Sequence, residues 1–223
     1  MYSFTLEPTF HKGYLVVQPR SGFRFGVDSV ILAHMVRSVD IDSVLELGAG
    51  SGIISLTLFS HGIGNKFVLV DKDKLMCEAL KMTVAVNDLR GIFMPICNDI
   101  QDLIGFNMEF DLVIFNPPYY LSGKARGDMA RVGTGKDFLN VARNSISERG
   151  IIAYIIDGNW VDVWEAWELE LGLNPLYIGE YVSKGGKNRM VRIVGLGSIF
   201  IPYREMYPIN GPRVKEFYTD GGI

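Results

Sequence analysis

An α/β fold built on a mostly parallel sheet is predicted by three features of the sequence. Short apolar runs alternate with amphipathic stretches, several runs lack the in-and-out alternation of a half-exposed strand, and one run leads through a glycine-rich turn into a helix. The runs are Ser43 to Leu47, Lys66 to Val70, Ile92 to Ile96, Asp111 to Phe115, Ile151 to Ile156 and Met190 to Val194. Between the first two, Ile53, Ile54, Leu56 and Leu58 recur at helical spacing, and Gly62 offers a left-handed cap. A second helix follows Asp73: Leu75, Met76, Ala79, Leu80, Met82, Thr83 and Val86 give it an apolar face, and Asn87 stops it. Ahead of the first strand, Asp28 or Ser29 is placed to cap an apolar helix. Trp160, Trp164 and Trp167, four and three apart, share one helical face expected to pack on the sheet.

A chain of 223 residues, 48% hydrophobic and 21% charged, suits one large domain and excludes disorder and collagen-like repeats. Lysine plus arginine total 22 against 25 acidic residues, a formal charge of -3, which excludes a wholly basic nucleic-acid-coating protein but leaves room for local patches. No apolar run approaches the roughly 20 residues of a membrane span. The start, Met1 to Glu7, lacks the basic and apolar regions of a secretory signal, so a cytoplasmic location is expected. Cys77 and Cys97 match no Cys-x-x-Cys pattern, and in a reducing compartment two buried thiols are expected rather than a disulfide. No metal-ligand cluster is visible, and His11, His34 and His61 lie outside every motif.

The chemistry concentrates in two places. Val44 to Gly52 runs from a strand into Gly48-Ala49-Gly50-Ser51-Gly52 and then a helix, a turn that lets a ligand approach the backbone near unpaired helix N–H groups. A dinucleotide turn would want a third glycine where Ile53 stands. Asp71 ends the next strand, 19 residues beyond Gly52, where a carboxylate can bind both ribose hydroxyls. Together these indicate a nucleoside-bearing cofactor. The second place is Asn116-Pro117-Pro118-Tyr119, at the carboxyl end of a strand, the edge where open α/β sheets take ligands. The Asn116 side-chain oxygen and the Pro117 carbonyl can accept both hydrogens of a planar NH2 group, with the Tyr119 ring as a stacking surface.

Phe25-Gly26-Val27-Asp28-Ser29, Glu46 to Gly52, Asp71, Asn98-Asp99 and Asn116 to Tyr119, in that order, resemble the Rossmann-like S-adenosylmethionine-dependent methyltransferases of the Asn-Pro-Pro-Tyr type. More narrowly, Gln18 to Phe25 followed by Gly26 to Ser29 is similar to the lead of bacterial tRNA(Val) adenine-N6 methyltransferases. The resemblance implies a class I methyltransferase fold, with a seven-stranded mostly parallel sheet and helices on both faces. It also implies one domain over 1–223, with 1–40 closing on cofactor and substrate. By the same resemblance, Gly48, Ala49 and Gly50 lie against the methionine and ribose of S-adenosylmethionine, with Glu46 near its amino group. Asp71 holds the ribose, Asp99 with Asn98 meets the adenine, and Phe25, Asp28 and Ser29 belong to the segment closing the methionine end. Asn116, Pro117 and Tyr119 hold the acceptor amine beside the methyl group.

The Asn-Pro-Pro-Tyr motif serves adenine in DNA, adenine or guanine in RNA, and the glutamine amide of release factors. Release-factor enzymes carry a helical domain before the glycine turn, whereas 47 residues precede Gly48 here. DNA enzymes add a recognition domain, but the stretch after Tyr119 is needed to finish the sheet. Lys124, Arg126, Arg131 and Lys136 cluster after the motif, and Lys184, Lys187, Arg189 and Arg192 form a second group, so RNA contacts are expected at Lys124, Arg126, Arg131, Lys187 and Arg189. The expectation is an RNA adenine-N6 methyltransferase with tRNA favoured. The alternatives are a protein-glutamine or guanine-N2 methyltransferase, a dinucleotide oxidoreductase, or a non-catalytic RNA-binding protein.

Overall fold

The computed structural model describes residues 3–9, 13–22, 24–36, 40–104, 108–117, 135–182, 188–197 and 204–208. A hairpin of β1 (Phe4–Pro8) and β2 (Leu15–Pro19) precedes helix α1 (Val27–Met35). Then come β3 (Ser43–Leu47), α2 (Ile53–Ser60), β4 (Lys66–Asp71), α3 (Lys74–Val86), β5 (Phe93–Cys97) and β6 (Phe110–Phe115). The second half holds α4 (Gly135–Ser145), β7 (Ile146–Asp157), α5 (Val161–Glu170), β8 (Asn174–Val182), β9 (Asn188–Gly195) and β10 (Arg204–Pro208). The large sheet has the order β5-β4-β3-β6-β7-β9-β8-β10, and within it only β9 runs antiparallel to its neighbours. Strands β3 to β9 form the expected seven-stranded sheet. Strand β10 adds an eighth, parallel to β8 at the edge.

Helices cover both faces of this sheet because its central strands are apolar on both sides. Val44, Phe67, Leu69, Leu112, Ile114, Ala153 and Ile155 face the layer of α1, α2 and α3. The intervening Leu45, Leu47, Val68, Val70, Val113, Phe115, Ile152 and Tyr154 face α4 and α5. Successive strand residues point to opposite faces, so an unbroken apolar run is what a sheet buried on both sides requires.

Local signals set the helix ends. The Asp73 carboxylate accepts from the Leu75 and Met76 N–H groups at 2.8 and 3.4 Å and caps α3. Asn87 ends that helix, and Gly62, at φ 74°, follows the end of α2. Asn87 also accepts from the Leu15 N–H at 2.8 Å, and Thr83 Oγ1 accepts from Val17 N at 3.0 Å, which docks the N-terminal hairpin on α3. Helix α1 departs from expectation: Gly26 is its N-cap, no side chain caps it, and Asp28 and Ser29 lie inside its first turn. Both side chains are taken up by tertiary partners described below. Trp160 also departs, standing 39% exposed before α5 starts, whereas Trp164 is buried and Trp167 packs edge-on against it.

The second basic group turns inward. Arg192 is the largest fully buried side chain among the described residues; it makes paired bonds to both oxygens of Glu168 and one to Glu165, and the Tyr154 hydroxyl bonds Glu168. Arg189 is 6% exposed and bonds Asp28 and Asp157. An RNA backbone needs cations that face solvent, so the expected RNA contact at Arg189 is corrected to an internal ion pair.

Cys77 and Cys97 form a disulfide, which corrects the expectation of two buried thiols. The β4–β5 register sets Cys97 opposite Asp71, and α3 begins just beyond Asp71, which brings the two Cα atoms to 5.6 Å. Cys97 is also exposed rather than buried. Reduction, or Cys97→Ser, is expected to cost about 3 kcal/mol by loss of loop closure across the 20-residue separation. Urea unfolding with and without reductant measures this; coincident midpoints would refute it.

Candidate functional site

The site forms at the carboxyl ends of β3, β4 and β6, where the glycine turn leaves β3. Gly48 adopts φ 67°, and a Cβ on Gly52, at φ 81°, would stand 2.7 Å from Leu80 Cδ1. Glycine at these positions allows the left-handed path and the close approach of α3. The turn is tied to its neighbours: Ala49 N donates to the Val70 carbonyl at 3.0 Å, and Gly50 N donates to Asp71 Oδ2 at 2.7 Å.

Around the turn a cavity opens, lined by Phe25, Ser29, Glu46, Gly48, Ala49, Gly50 and Asn116 from the expected set. Gln18, Pro19, Arg24, Ser51, Ile53, Ile54 and Met76 complete it. Gln18 accepts from Phe25 N at 3.0 Å and donates to Glu7 at 2.7 Å, while Arg24 bonds Glu7 and the Pro19 carbonyl. The hairpin therefore supplies one wall. The stretch Gln18 to Arg24 stood out in the sequence, but a polar network spanning β1, β2 and the following loop leaves no local spacing signal.

Glu46 is 1% exposed, and its carboxyl accepts from both the N–H and the hydroxyl of Ser55. Since N-cap Gly52 has no side chain, Glu46 satisfies from β3 an N–H that the first turn of α2 would otherwise leave unpaired. Burial pushes its pKa up to about 8; the Ser55 bonds oppose this, and the Asp71 charge adds to it. Asp71 is also raised by burial, against bonds from the N–H groups of Asp73 and Gly50. Each Asp71 oxygen keeps a further lone pair, so two hydroxyl donors can be accepted.

Asn116 ends β6. Its Nδ2 donates to Ser29 Oγ at 3.0 Å, while its Oδ1 is buried with no hydrogen-bond partner among the described residues. A buried amide oxygen without a donor carries a desolvation cost that a ligand N–H would remove. Pro117 follows, buried, without lining the cavity. Tyr119, Lys124, Arg126, Arg131 and Lys187 lie outside the described residues. Lys136, in the first turn of α4, pairs with Glu170 at 2.8 Å.

Four expected cofactor residues, Asp28, Asp71, Asn98 and Asp99, stand outside the cavity lining. Asp28, expected in the segment closing the methionine end, turns its carboxylate to Arg189 at 3.1 Å, while Phe25 and Ser29 of that segment line the cavity. Asn98 and Asp99 stand at the end of β5, outside the cavity lining but tied to the Asp71 edge by Asn98 N donating to the Asp71 carbonyl at 3.1 Å. Asp99 accepts from Gln101 N at 3.1 Å, the bond that chiefly lowers its pKa, and pairs with Lys72 at 3.2 Å.

The profile of the methyltransferase small domain matches residues 24–160. The chain belongs to that family. Its sequence is similar to tRNA1(Val) (adenine(37)-N6)-methyltransferases: 28% identical over 220 residues to that of Salmonella arizonae, covering 94% of this chain and 83% of the relative. It is 27% identical over 126 residues to that of a Flavobacteriaceae bacterium, covering 55% of this chain and 53% of the relative. The second match thus spans about half the length of the relative. In fold it is similar to a tRNA m1G37 methyltransferase of M. jannaschii, with a TM-score of 0.64 at 18% identity over 88% of this chain and 57% of that one. It is also similar to a ribosomal protein L11 methylase of Lactobacillus delbrueckii subsp. bulgaricus, with a TM-score of 0.53 at 17% identity over 74% and 76%. One fold therefore serves nucleic-acid and protein acceptors, and the acceptor must be argued from the site.

The cofactor of this methyltransferase small domain is S-adenosylmethionine. The residues present suit it: a buried carboxyl at Glu46, a turn with left-handed glycines, a two-lone-pair carboxylate at Asp71, and an acceptor at Asn116 that has no partner among the described residues.

Proposed function

We propose that the protein transfers the methyl group of S-adenosylmethionine to the exocyclic N6 amine of an adenine in RNA, with tRNA the favoured substrate. The observation that carries this reading is the buried Asn116 Oδ1, without a donor among the described residues, on a residue that lines the same cavity as Glu46 and the glycine turn. The names of the relatives support the adenine assignment.

When bound, S-adenosylmethionine supplies an electrophilic methyl group on a sulfonium. The rest is done by this chain. Gly48, Ala49 and Gly50 bear on the methionine and ribose, and Glu46 faces the amino group. Asp71 takes the ribose hydroxyls, Asp99 with Asn98 the adenine, and Phe25 and Ser29 close the methionine end. The stretch 1–40 acts as the closing segment of a single domain.

Asn116 Oδ1 and the Pro117 carbonyl accept the two hydrogens of the substrate amine, and Tyr119 stacks the base. An adenine amine is a poor nucleophile because its lone pair is delocalised into the ring. Two fixed acceptors favour a tetrahedral nitrogen and stabilise the positive charge it develops. Holding that nitrogen in line with the methyl group supplies much of the rate. The C–S bond would break to a neutral thioether as the N–C bond forms, and the surplus amine proton would pass to water afterwards, so no general base is needed during transfer; His34 and His61 sit at the C-terminal ends of α1 and α2, away from the helix N-termini that border the cavity. Lys124, Arg126, Arg131 and Lys187 would supply the local cations for RNA on a chain of net charge -3.

The test is transfer of labelled methyl groups to total tRNA, ribosomal RNA, duplex DNA and protein extract, with nucleoside analysis of the product. N6-methyladenosine in tRNA is the expected result. Label in guanine or in protein glutamine would overturn the acceptor, and cofactor binding with no label in any of the four would overturn the enzymatic reading.

A further inference from the structure

We infer that Arg189 is a positioning residue for Asn116, acting through the first turn of α1; the inference rests on the role proposed above for Asn116. Arg189 lies on β9, directly opposite Asp157 of β7 in the antiparallel ladder. Its Nη1 donates to Asp157 Oδ2 at 2.6 Å and its Nε to Asp28 Oδ2 at 3.1 Å, with the guanidinium side chain only 7% exposed. A planar fork can hold two carboxylates in different directions at once, which a lysine ammonium does less rigidly. One of these carboxylates belongs to the sheet, the other to a helix that no side chain caps. Arg189 thus ties the start of α1 to the strands.

The residue after Asp28 is Ser29, 5% exposed, whose Oγ accepts from Asn116 Nδ2 at 3.0 Å. That bond orients the amide of a residue that lines the cavity and leaves its Oδ1 without a partner among the described residues. The path runs from Arg189 to Asp28, along one residue of helix to Ser29, and across to Asn116. Without the guanidinium, the bonds that hold Asp28 to β9 and, through Arg189, to Asp157 are gone, and the start of α1 loses this tie to the strands. Ser29 would then move and the amide would lose its fixed orientation. A shift of about 1 Å in a group that aligns reactants costs on the order of 10²-fold in rate.

The experiment compares wild type with Arg189→Met, Arg189→Lys and Asp28→Asn, measuring kcat, KM for RNA at several salt concentrations, cofactor affinity and Tm. Arg189→Met is expected to lower kcat on the order of 10²-fold while leaving RNA KM and cofactor affinity within a few-fold. Arg189→Lys should recover part of the rate. Combined with Asn116→Ala, Arg189→Met should slow the enzyme no further, because both act through one group. A kcat equal to wild type with a lower Tm would make Arg189 merely structural and overturn the inference. So would a raised RNA KM with a weaker salt dependence, the mark of a phosphate contact. If Arg189→Met does not fold, Asp28→Asn is the deciding variant, since it removes one carboxylate and keeps the Arg189–Asp157 pair. If wild type methylates no adenine, the role of Asn116 fails on its own. The Asn116 side-chain amide resonance then still decides the coupling: it should move in Arg189→Lys, and an unmoved resonance would refute the path.

Discussion

Asn116→Ala is expected to lower methyl transfer by about 10²–10³-fold or more, the range seen when one preorganised polar group at a reacting centre is removed. Cofactor and RNA binding should stay within a few-fold of wild type. The reason is geometric: Asn116 Oδ1 is buried with no partner among the described residues, which suits it to accept from a group that arrives. That bond strengthens only as the substrate nitrogen gains positive charge, so its loss appears in the chemical step more than in binding. Asn116→Asp keeps an acceptor, and the Ser29 hydroxyl can turn to donate to it, so this variant should keep more activity than the alanine. Single-turnover transfer beside direct RNA-binding measurements separates the two effects. Equal losses of binding and transfer would refute the assigned role.

The folded protein without ligand is expected to lose stability as the pH rises from about 4.5 to about 8. The Glu46 carboxyl titrates near 8 when buried, against an ordinary 4.5. Between these values the folded chain keeps a proton that the unfolded chain has released, so the unfolded state binds fewer protons and unfolding is favoured as pH rises. Stability from this group is complete below about 4.5 and levels off above about 8, a total on the order of 5 kcal/mol. Glu46→Gln cannot titrate but keeps an acceptor for Ser55 N, so its stability should lack this slope. Denaturant unfolding of both proteins at pH 5, 6.5 and 8 makes the comparison, and parallel curves would refute the assignment. An ammonium brought into the cavity favours the carboxylate form. Cofactor binding below pH 8 should therefore release a proton, visible in calorimetry with buffers of different ionisation enthalpy.

Much of the sheet and of the cofactor edge was legible because their causes are local. The strands from Ser43 to Phe115 are apolar on both faces, and Asp73, Asn87 and Gly62 mark helix ends within a turn of where they act. The glycine turn and Asp71 were readable for the same reason, since β3, β4 and the turn between them are consecutive in the chain. The misread residues depend on partners far along the chain. Arg189 and Asp28 are 161 positions apart, and Arg192 meets Glu168 across 24; as sequence both arginines look like part of a solvated basic cluster. Asp28 resembles a helix cap until Arg189 is seen to claim its carboxylate. Strand β8 was hidden by Pro175 and Gly179, and its ladder to β9 shifts register at Pro175 to Tyr177. Helix α4 opens on the polar Lys136 and Asp137, which mask its start, although Phe138, Leu139, Val141 and Ala142 give it a buried face. The disulfide was missed because its geometry comes from register between strands, which spacing alone does not encode.

The buried meeting of Arg192, Glu168 and Tyr154 constrains how this chain can drift through single amino-acid exchanges. Replacing either charged member alone strands its partner in the core, at a cost of about 3–5 kcal/mol, against the 5–15 kcal/mol that holds a domain of ordinary stability together. The exchange that keeps the fold is a paired one, both charges giving way together to apolar groups of matching volume. Any lineage that has left this arrangement must have crossed a less stable intermediate, or first accumulated stability elsewhere in the chain.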